Sequence, residues 1–222
     1  MTAPSLEDVL EKATQLQALV PGAVLVGGSA AALHAHHRES LDNDHVVADL
    51  DKRFEAILEN LEALGDWSLV RAQPGKIILG ELGGIETGVR QLLRSRPLET
   101  TEVDVHGKRL VIPTAAEILR IKAWLALNRN QTRDYLDIAA LADSIGLDEA
   151  AAVLRSIDDY YHDIDRRPEA VASQIARQLA DPRPRDAEVT RQLAVYKALD
   201  QRWHDWASVT AVLADLAERM TR

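Results

Sequence analysis

The sequence predicts an α+β chain, with a mixed β-sheet core and flanking helices in residues 1–112 and an all-helical half in residues 113–222. Three observations carry that expectation. Short β-branched runs bounded by Gly and Pro recur as far as Ile112. From Pro113 onward the apolar period is helical and stays so. At the junction stands Thr114-Ala115-Ala116-Glu117, the pattern of a capping box.

Each element follows from local chemistry. Ser5, with Asp8 at the third position and Leu6, Val9, Leu10, Leu16 and Val20 at helical spacing, predicts a capped helix over 5–19 that Pro21-Gly22 ends. Ala23-Val24-Leu25-Val26 predicts a short buried strand, Gly27-Gly28 a tight turn, and the Ala-rich stretch 29–36 a helix. Asp42-Asn43-Asp44 opens a second strand that His45-Val46-Val47-Ala48 continues. Residues 51–64 predict an amphipathic helix through Phe54, Ile57, Leu58 and Leu61, with Gly65 as its C-cap. Strands are expected over 67–71, 76–80 and 85–89, with turns at Gln73-Pro74-Gly75 and Gly83-Gly84, and a hairpin over 103–112 turning at His106-Gly107. Helices then follow over about 118–127, 132–143, 148–159, 168–179, 186–199 and 202–219, with Pro182-Arg183-Pro184 as an interruption. Trp203, Trp206, Val209 and Val212 have the spacing of a C-terminal core stripe.

Composition bounds the function classes. Hydrophobic content of 46% and charged content of 27% are those of a globular protein, and no apolar run approaches a membrane span. There is no cysteine, which excludes disulfides and thiolate metal sites. The first residues lack a basic n-region and an apolar h-region, so a cytoplasmic protein is expected. A net charge of −9 argues against a general nucleic-acid coat protein. Residues 82–133, however, hold nine Lys and Arg against five Asp and Glu, so positive charge gathers in the middle of an acidic chain.

The stretch that carries chemistry is Gly27-Gly28-Ser29 followed by Asp42-Asn43-Asp44. A strand, a Gly-Gly-Ser segment and a helix start aim backbone N–H groups at one spot, which suits a phosphate. On an extended chain the i, i+2 spacing of Asp42 and Asp44 puts both carboxylates on one face, where hard cations bind. Singly, each motif is a common turn or loop. A third acid on a neighbouring strand would complete such a site, and Glu86 and Asp104 compete for that place, with Glu86 the better candidate because its strand is expected beside the Asp pair.

In their order and spacing these residues resemble the signature of the nucleotidyltransferase superfamily. The segment His37-Arg38-Glu39-Ser40-Leu41-Asp42-Asn43-Asp44 is similar to the branch containing AbiEii-type and MenT-type toxins. A second block agrees: Lys122 on one helix, then Arg133-Asp134-Tyr135-Leu136-Asp137 on the next, so that the resemblance covers residues 24 to about 141. It implies a nucleotidyltransferase-like fold and NMP transfer from an NTP, with Mg²⁺ or Mn²⁺ held by Asp42 and Asp44. It also implies phosphate binding by Gly27, Gly28, Ser29, Lys122 and Arg133, and a role near the nucleotide for Asp134 and Asp137. Ser40 matches a serine often found there and is otherwise a turn former. Superfamily members more often carry Asp at the Glu86 position. The implied acceptor is the tRNA 3′ end and the implied protein partner an antitoxin. A small-molecule or protein hydroxyl as acceptor, and an inactive binding protein of the same fold, remain alternatives.

Other readings compete at several residues. Lys122, on an apolar helix, would either snorkel to the surface or serve as a fixed cation over a triphosphate. Asp134 and Asp137 share a helical face within reach of Lys122, although singly each is an ordinary exposed helix charge. His34 and His37 are expected on one helix face, a spacing at which a metal site is conceivable.

Overall fold

The computed structural model describes residues 5–162, 164–165, 167–196 and 198–222. Residues 1–4, on which part of the reading of the N-terminus rests, and Lys197, inside the expected helix over 186–199, lie outside the described residues. The chain forms two compact units, one made of Met1–Ala30 and Ser40–Thr114, the other of Ala31–Glu39 and Ala115–Arg222.

In the first unit a five-stranded mixed sheet has the order β1-β2-β5-β4-β3. Its strands are β1 (Val24–Leu25), β2 (Asn43–Val47), β3 (Trp67–Gln73), β4 (Ile77–Leu82) and β5 (Ile85–Gln91). β2 and β5 run parallel, and the other pairings are antiparallel. Because side chains alternate along a strand, one face collects Asn43, His45, Val47, Thr87, Val89, Ile78 and Leu82, all buried. Helices α1 (Leu6–Leu19) and α3 (Leu50–Glu62) supply Leu16, Phe54, Ile57 and Leu61 to the same core. Each such buried Leu or Phe contributes about 1.5–3 kcal/mol of transfer free energy. The opposite face carries Asp44, Val46, Glu86, Gly88 and Arg90. β6 (Thr100–Val105) and β7 (Lys108–Pro113) form a separate hairpin, turned at His106 and Gly107, both with positive φ. The Gln17 amide exchanges two 2.8 Å hydrogen bonds with the Val111 backbone and so ties α1 to that hairpin.

The second unit is helical. Its long helices are α4 (Ala115–Arg129), α5 (Thr132–Ile145), α8 (Val171–Ala180) and α9 (Trp206–Met220), with α6 (Leu147–Arg155) and α7 (Asp158–Tyr161) between. α5 is buried from Asp134 to Ala142, as the central helix of the bundle must be. The apolar stripe of α9 is Val209, Leu213, Leu216, Ala217 and Met220, while Trp203 is buried just before it.

Four local expectations need correction. The glycine pair is not a separate turn: α2 (Gly27–Ala35) begins at Gly27, whose φ of 75° sets the entry angle into the helix. Gly65 does not cap α3, which ends at Glu62 with Ala63 as C-cap, because the last backbone bonds close before Gly65 is reached. Residues 148–159 do not form one helix, since the chain turns between α6 and α7 at Ser156 and Ile157. Residues 186–199 form only short 3₁₀ turns at Val189–Arg191 and Leu193–Val195. Of those six residues Leu193 alone is buried, too little apolar contact to stabilise an α-helix.

Candidate active site

In the first unit the site is built around Asp44. Its carboxylate lies between two glycines. A Cβ on Gly27 would stand 3.2 Å from Oδ2, and one on Gly88 would stand 3.0 Å from Oδ1 and 2.9 Å from Leu79 Cδ2. Any side chain at either position would press on the carboxylate, so the two glycines keep both of its oxygens approachable. The Asp44 side chain is 36% exposed, and Arg90 Nε lies 3.7 Å from Oδ1. The backbone is fixed from behind, where Val26 N–H donates to the Asp44 carbonyl at 2.8 Å.

Asp42 precedes β2 by one residue and is half-buried. The Ser29 hydroxyl, fully buried, donates to the Asp42 carbonyl at 2.7 Å and lies 3.2 Å from the Ser40 carbonyl. The side chain of Ser29 therefore pins the segment that presents Asp42, while its backbone N–H stays at the start of α2 with those of Gly27 and Gly28. Ser40 is buried and takes part through that carbonyl. β2 and β5 pair Asp44 with Gly88, which places Glu86, two residues earlier, on the same sheet face as Asp44 and exposed. Asp104 is in the separate hairpin, where its carboxylate accepts from Gly107 N–H at 3.1 Å. His45, next to Asp44 but on the core face, is fully buried, and burial pushes its pKa down to about 3, so it is neutral.

A divalent metal is implied at Asp42 and Asp44, and these residues fit one. Among the described residues no group of three or more His, Asp or Glu stands ready to hold an ion unaided. Mg²⁺ at nucleotide sites is held by one or two carboxylates together with phosphate oxygens, so the open Asp44 carboxylate, with Asp42 two residues before it, is a sufficient protein share. The Asp44 side chain is 36% exposed, so its carboxylate is open to such an ion from solvent.

The remaining candidates lie in the second unit and form a buried ionic cluster. Asp137 is fully buried and meets three basic side chains: Lys122 Nζ at 2.5 Å, Arg38 through Nε at 2.8 Å and a terminal nitrogen at 3.1 Å, and His37 Nε2 at 2.8 Å. Burial alone would raise the Asp137 pKa, but Arg38, Lys122 and the His37 hydrogen bond outweigh it and hold the carboxyl well below its ordinary range. Asp134, also fully buried, is 3.9 Å from Lys122 and 2.9 Å from Arg129. There burial dominates over the attraction of Lys122 and Arg129, so its pKa is raised. Lys122 is within reach of both aspartates, as their shared helical face suggested, and the competing surface reading falls at each position. Lys122 does not snorkel, because Asp137 supplies its counter-charge inside the bundle. Asp134 and Asp137 are not exposed helix charges, since both face the interior.

Arg133 is half-buried, and its Nε is buried without a hydrogen-bond partner. His34 and His37 do not share a helix face. α2 ends at Ala35, His36 takes a left-handed φ of 49°, and His37 is turned onto Asp137. Sequence reasoning did not single out Gly88, Arg90 or Arg38 as site residues. Arg38 and Asp137 are 99 positions apart, with no local signal joining them.

No family model matches this sequence. The heme uptake protein MmpL11 of Mycobacterium tuberculosis is 43% identical over 112 residues, 48% of this chain and 11% of that protein. The mycolic acid-containing lipids exporter MmpL11 of Mycolicibacterium smegmatis is 46% identical over 99 residues, 44% of this chain and 10% of that protein. The match thus spans about a tenth of the length of the curated relatives. Among the described residues no helix is long and apolar enough to cross a membrane. In structure the chain is similar to a protein from H. pylori assigned to the nucleotidyltransferases, with a TM-score of 0.53, 16% identity, and coverage of 100% of this chain and 96% of that one. It is similar also to ANT(2")-Ia, solved in complex with adenylyl-2"-tobramycin, with a TM-score of 0.53, 13% identity, and coverage of 69% of this chain and 97% of that one. At such identities the likeness is one of fold, and the fold is that of nucleotidyltransferases.

Proposed function

We propose that this chain, folded as a nucleotidyltransferase, transfers NMP from an NTP to an acceptor hydroxyl. The observation that carries the reading is the Asp44 carboxylate, held between Gly27 and Gly88 on an open sheet face with Glu86 on that face and Asp42 two residues before it.

The residues divide the work. Backbone N–H groups at Gly27, Gly28 and Ser29 receive phosphate oxygens at the start of α2. Asp42 and Asp44 would hold a divalent ion, whose chemistry would be to neutralise phosphate charge and make the α-phosphorus a better electrophile. Glu86 takes the proton of the acceptor hydroxyl. The acceptor O–P bond forms as the bond between the α-phosphorus and the bridging oxygen breaks, and pyrophosphate leaves. Lys122 and Arg133 are assigned to phosphate charge, and Asp134 and Asp137 to support near the nucleotide. Within the second unit Asp137 fixes Lys122 directly.

The two-block pattern favours the AbiEii/MenT type, with the tRNA 3′ end as acceptor, an antitoxin as partner and a cytoplasmic location. A second reading keeps the chemistry and changes the acceptor to a cationic small molecule. The net charge of −9 favours it, as does the aminoglycoside adduct bound by ANT(2")-Ia. Incubation with Mg²⁺, each labelled NTP and total RNA tests the proposal. Label is expected in RNA, and no label in RNA, small molecule or protein with any NTP overturns it. Salt separates the acceptors, because transfer to tRNA, with its many phosphate contacts, falls more steeply as ionic strength rises than transfer to a small molecule.

A further inference from the structure

Resting on that reading, we infer that Arg90 is a positioning residue that competes with the metal for Asp44 and turns to the phosphates when a nucleotide arrives. Arg90 lies on β5 two residues beyond Gly88, on the face that Asp44 shares. Its Nε is 3.7 Å from Asp44 Oδ1, longer than a hydrogen bond, and the side chain is 48% exposed. Asp44 is the only ion-pair partner of Arg90 among the described residues. The guanidinium is therefore held to Asp44 by charge rather than by a hydrogen bond.

The Cβ that Gly88 lacks would stand 3.0 Å from Asp44 Oδ1 and 4.0 Å from Arg90 Nε, so Gly88 lies against both groups and brings them to one place on the sheet face. An ion held by Asp44 would share that carboxylate with the guanidinium, so the two positive charges would compete for it. A free divalent ion must displace Arg90 without compensation. An ion that arrives with a triphosphate brings oxygens that the Arg fork suits. Arg90 thus disfavours free metal and favours the metal–nucleotide complex, making the two ligands cooperative.

Mn²⁺ binding followed by EPR, together with equilibrium dialysis of labelled α,β-methylene NTPs, tests this on wild type, Arg90→Gln, Arg90→Lys and Asp44→Asn. Arg90 is half-exposed, so removing its charge is expected to tighten free Mn²⁺ about two- to fivefold, the scale of an exposed ion pair. The same variant weakens the analogue and loses most of the mutual enhancement between analogue and Mn²⁺. Arg90→Lys keeps a charge and falls between. Free Mn²⁺ affinity that is unchanged or weaker in Arg90→Gln, with Asp44→Asn still losing Mn²⁺, overturns the role of Arg90 alone. Equal Mn²⁺ binding in Asp44→Asn and wild type overturns the metal site itself and the inference with it.

Discussion

Asp44 in the first unit leaves 36% of its side chain to solvent and meets one cation, 3.7 Å away. Asp137 in the second unit is fully buried and is held by Lys122, Arg38 and His37, each within 3.1 Å. Both are aspartates in short motifs, and their surroundings give them opposite uses. An acid whose charge is largely unmatched attracts a cation from solution. An acid already matched by three donors can only organise what surrounds it, and losing it strands several buried charges. Chemistry is therefore assigned to the first and architecture, including the placement of Lys122, to the second.

The largest effect expected from this contrast is on turnover at Asp44. Asp44→Ala should lower transfer by roughly a thousandfold, the scale of losing metal-borne charge stabilisation. Urea unfolding should stay within about 1 kcal/mol of wild type, because only an exposed ion pair is lost. Near-normal transfer in this variant would remove Asp44 from the site. The converse holds for Asp137→Ala, where unfolding free energy should drop by about 3–5 kcal/mol as Lys122, Arg38 and His37 lose their common partner. A small drop would mean that the buried cluster is not structural.

Gly88→Ala comes next. Its Cβ would meet Leu79 Cδ2 at 2.9 Å and Asp44 Oδ1 at 3.0 Å, so something must shift. A stability loss of about 1–3 kcal/mol is expected from overpacking, with transfer and Mn²⁺ binding reduced together. Unaltered Mn²⁺ binding would show that the clearance is incidental. The mildest effect is a pH trend. The Asp137 pKa is held well below the usual 3.8, so its stabilisation is present above that value and is lost as pH falls through the folded pKa. The stability gap between wild type and Asp137→Asn should accordingly shrink as the medium is acidified below about pH 4. A gap independent of pH would contradict the charged form of Asp137.

The residues that were legible in sequence are those whose partners are near in the chain or repeat with a period. The helix over 5–19 was predicted from Ser5 and Asp8, and the structure shows their reciprocal cap. The strand expected to carry Asp44 into His45-Val46-Val47 is β2, Asn43–Val47. Glu86 was preferred over Asp104 from the order of strands, and β5 does pair with β2 whereas Asp104 lies in another sheet. Local patterns failed where distant contacts decide. Residues 186–199 carry a helical pattern but bury too little to form that helix, and at Lys122 the surface and the interior both stayed open because Asp137 lies on another helix.

By itself the sequence determined the secondary structure of most segments, the change from sheet to helices near residue 113, and the Gly-Gly-Ser and Asp-x-Asp elements. All of these follow from side-chain period and backbone freedom within a few residues. Tertiary structure alone decided that Gly88 stands against Asp44, that Arg90 is its cation, and that Arg38 and His37 close on Asp137. Strand register and helix packing bring together residues tens of positions apart, and charge acquires its meaning only from what is buried beside it.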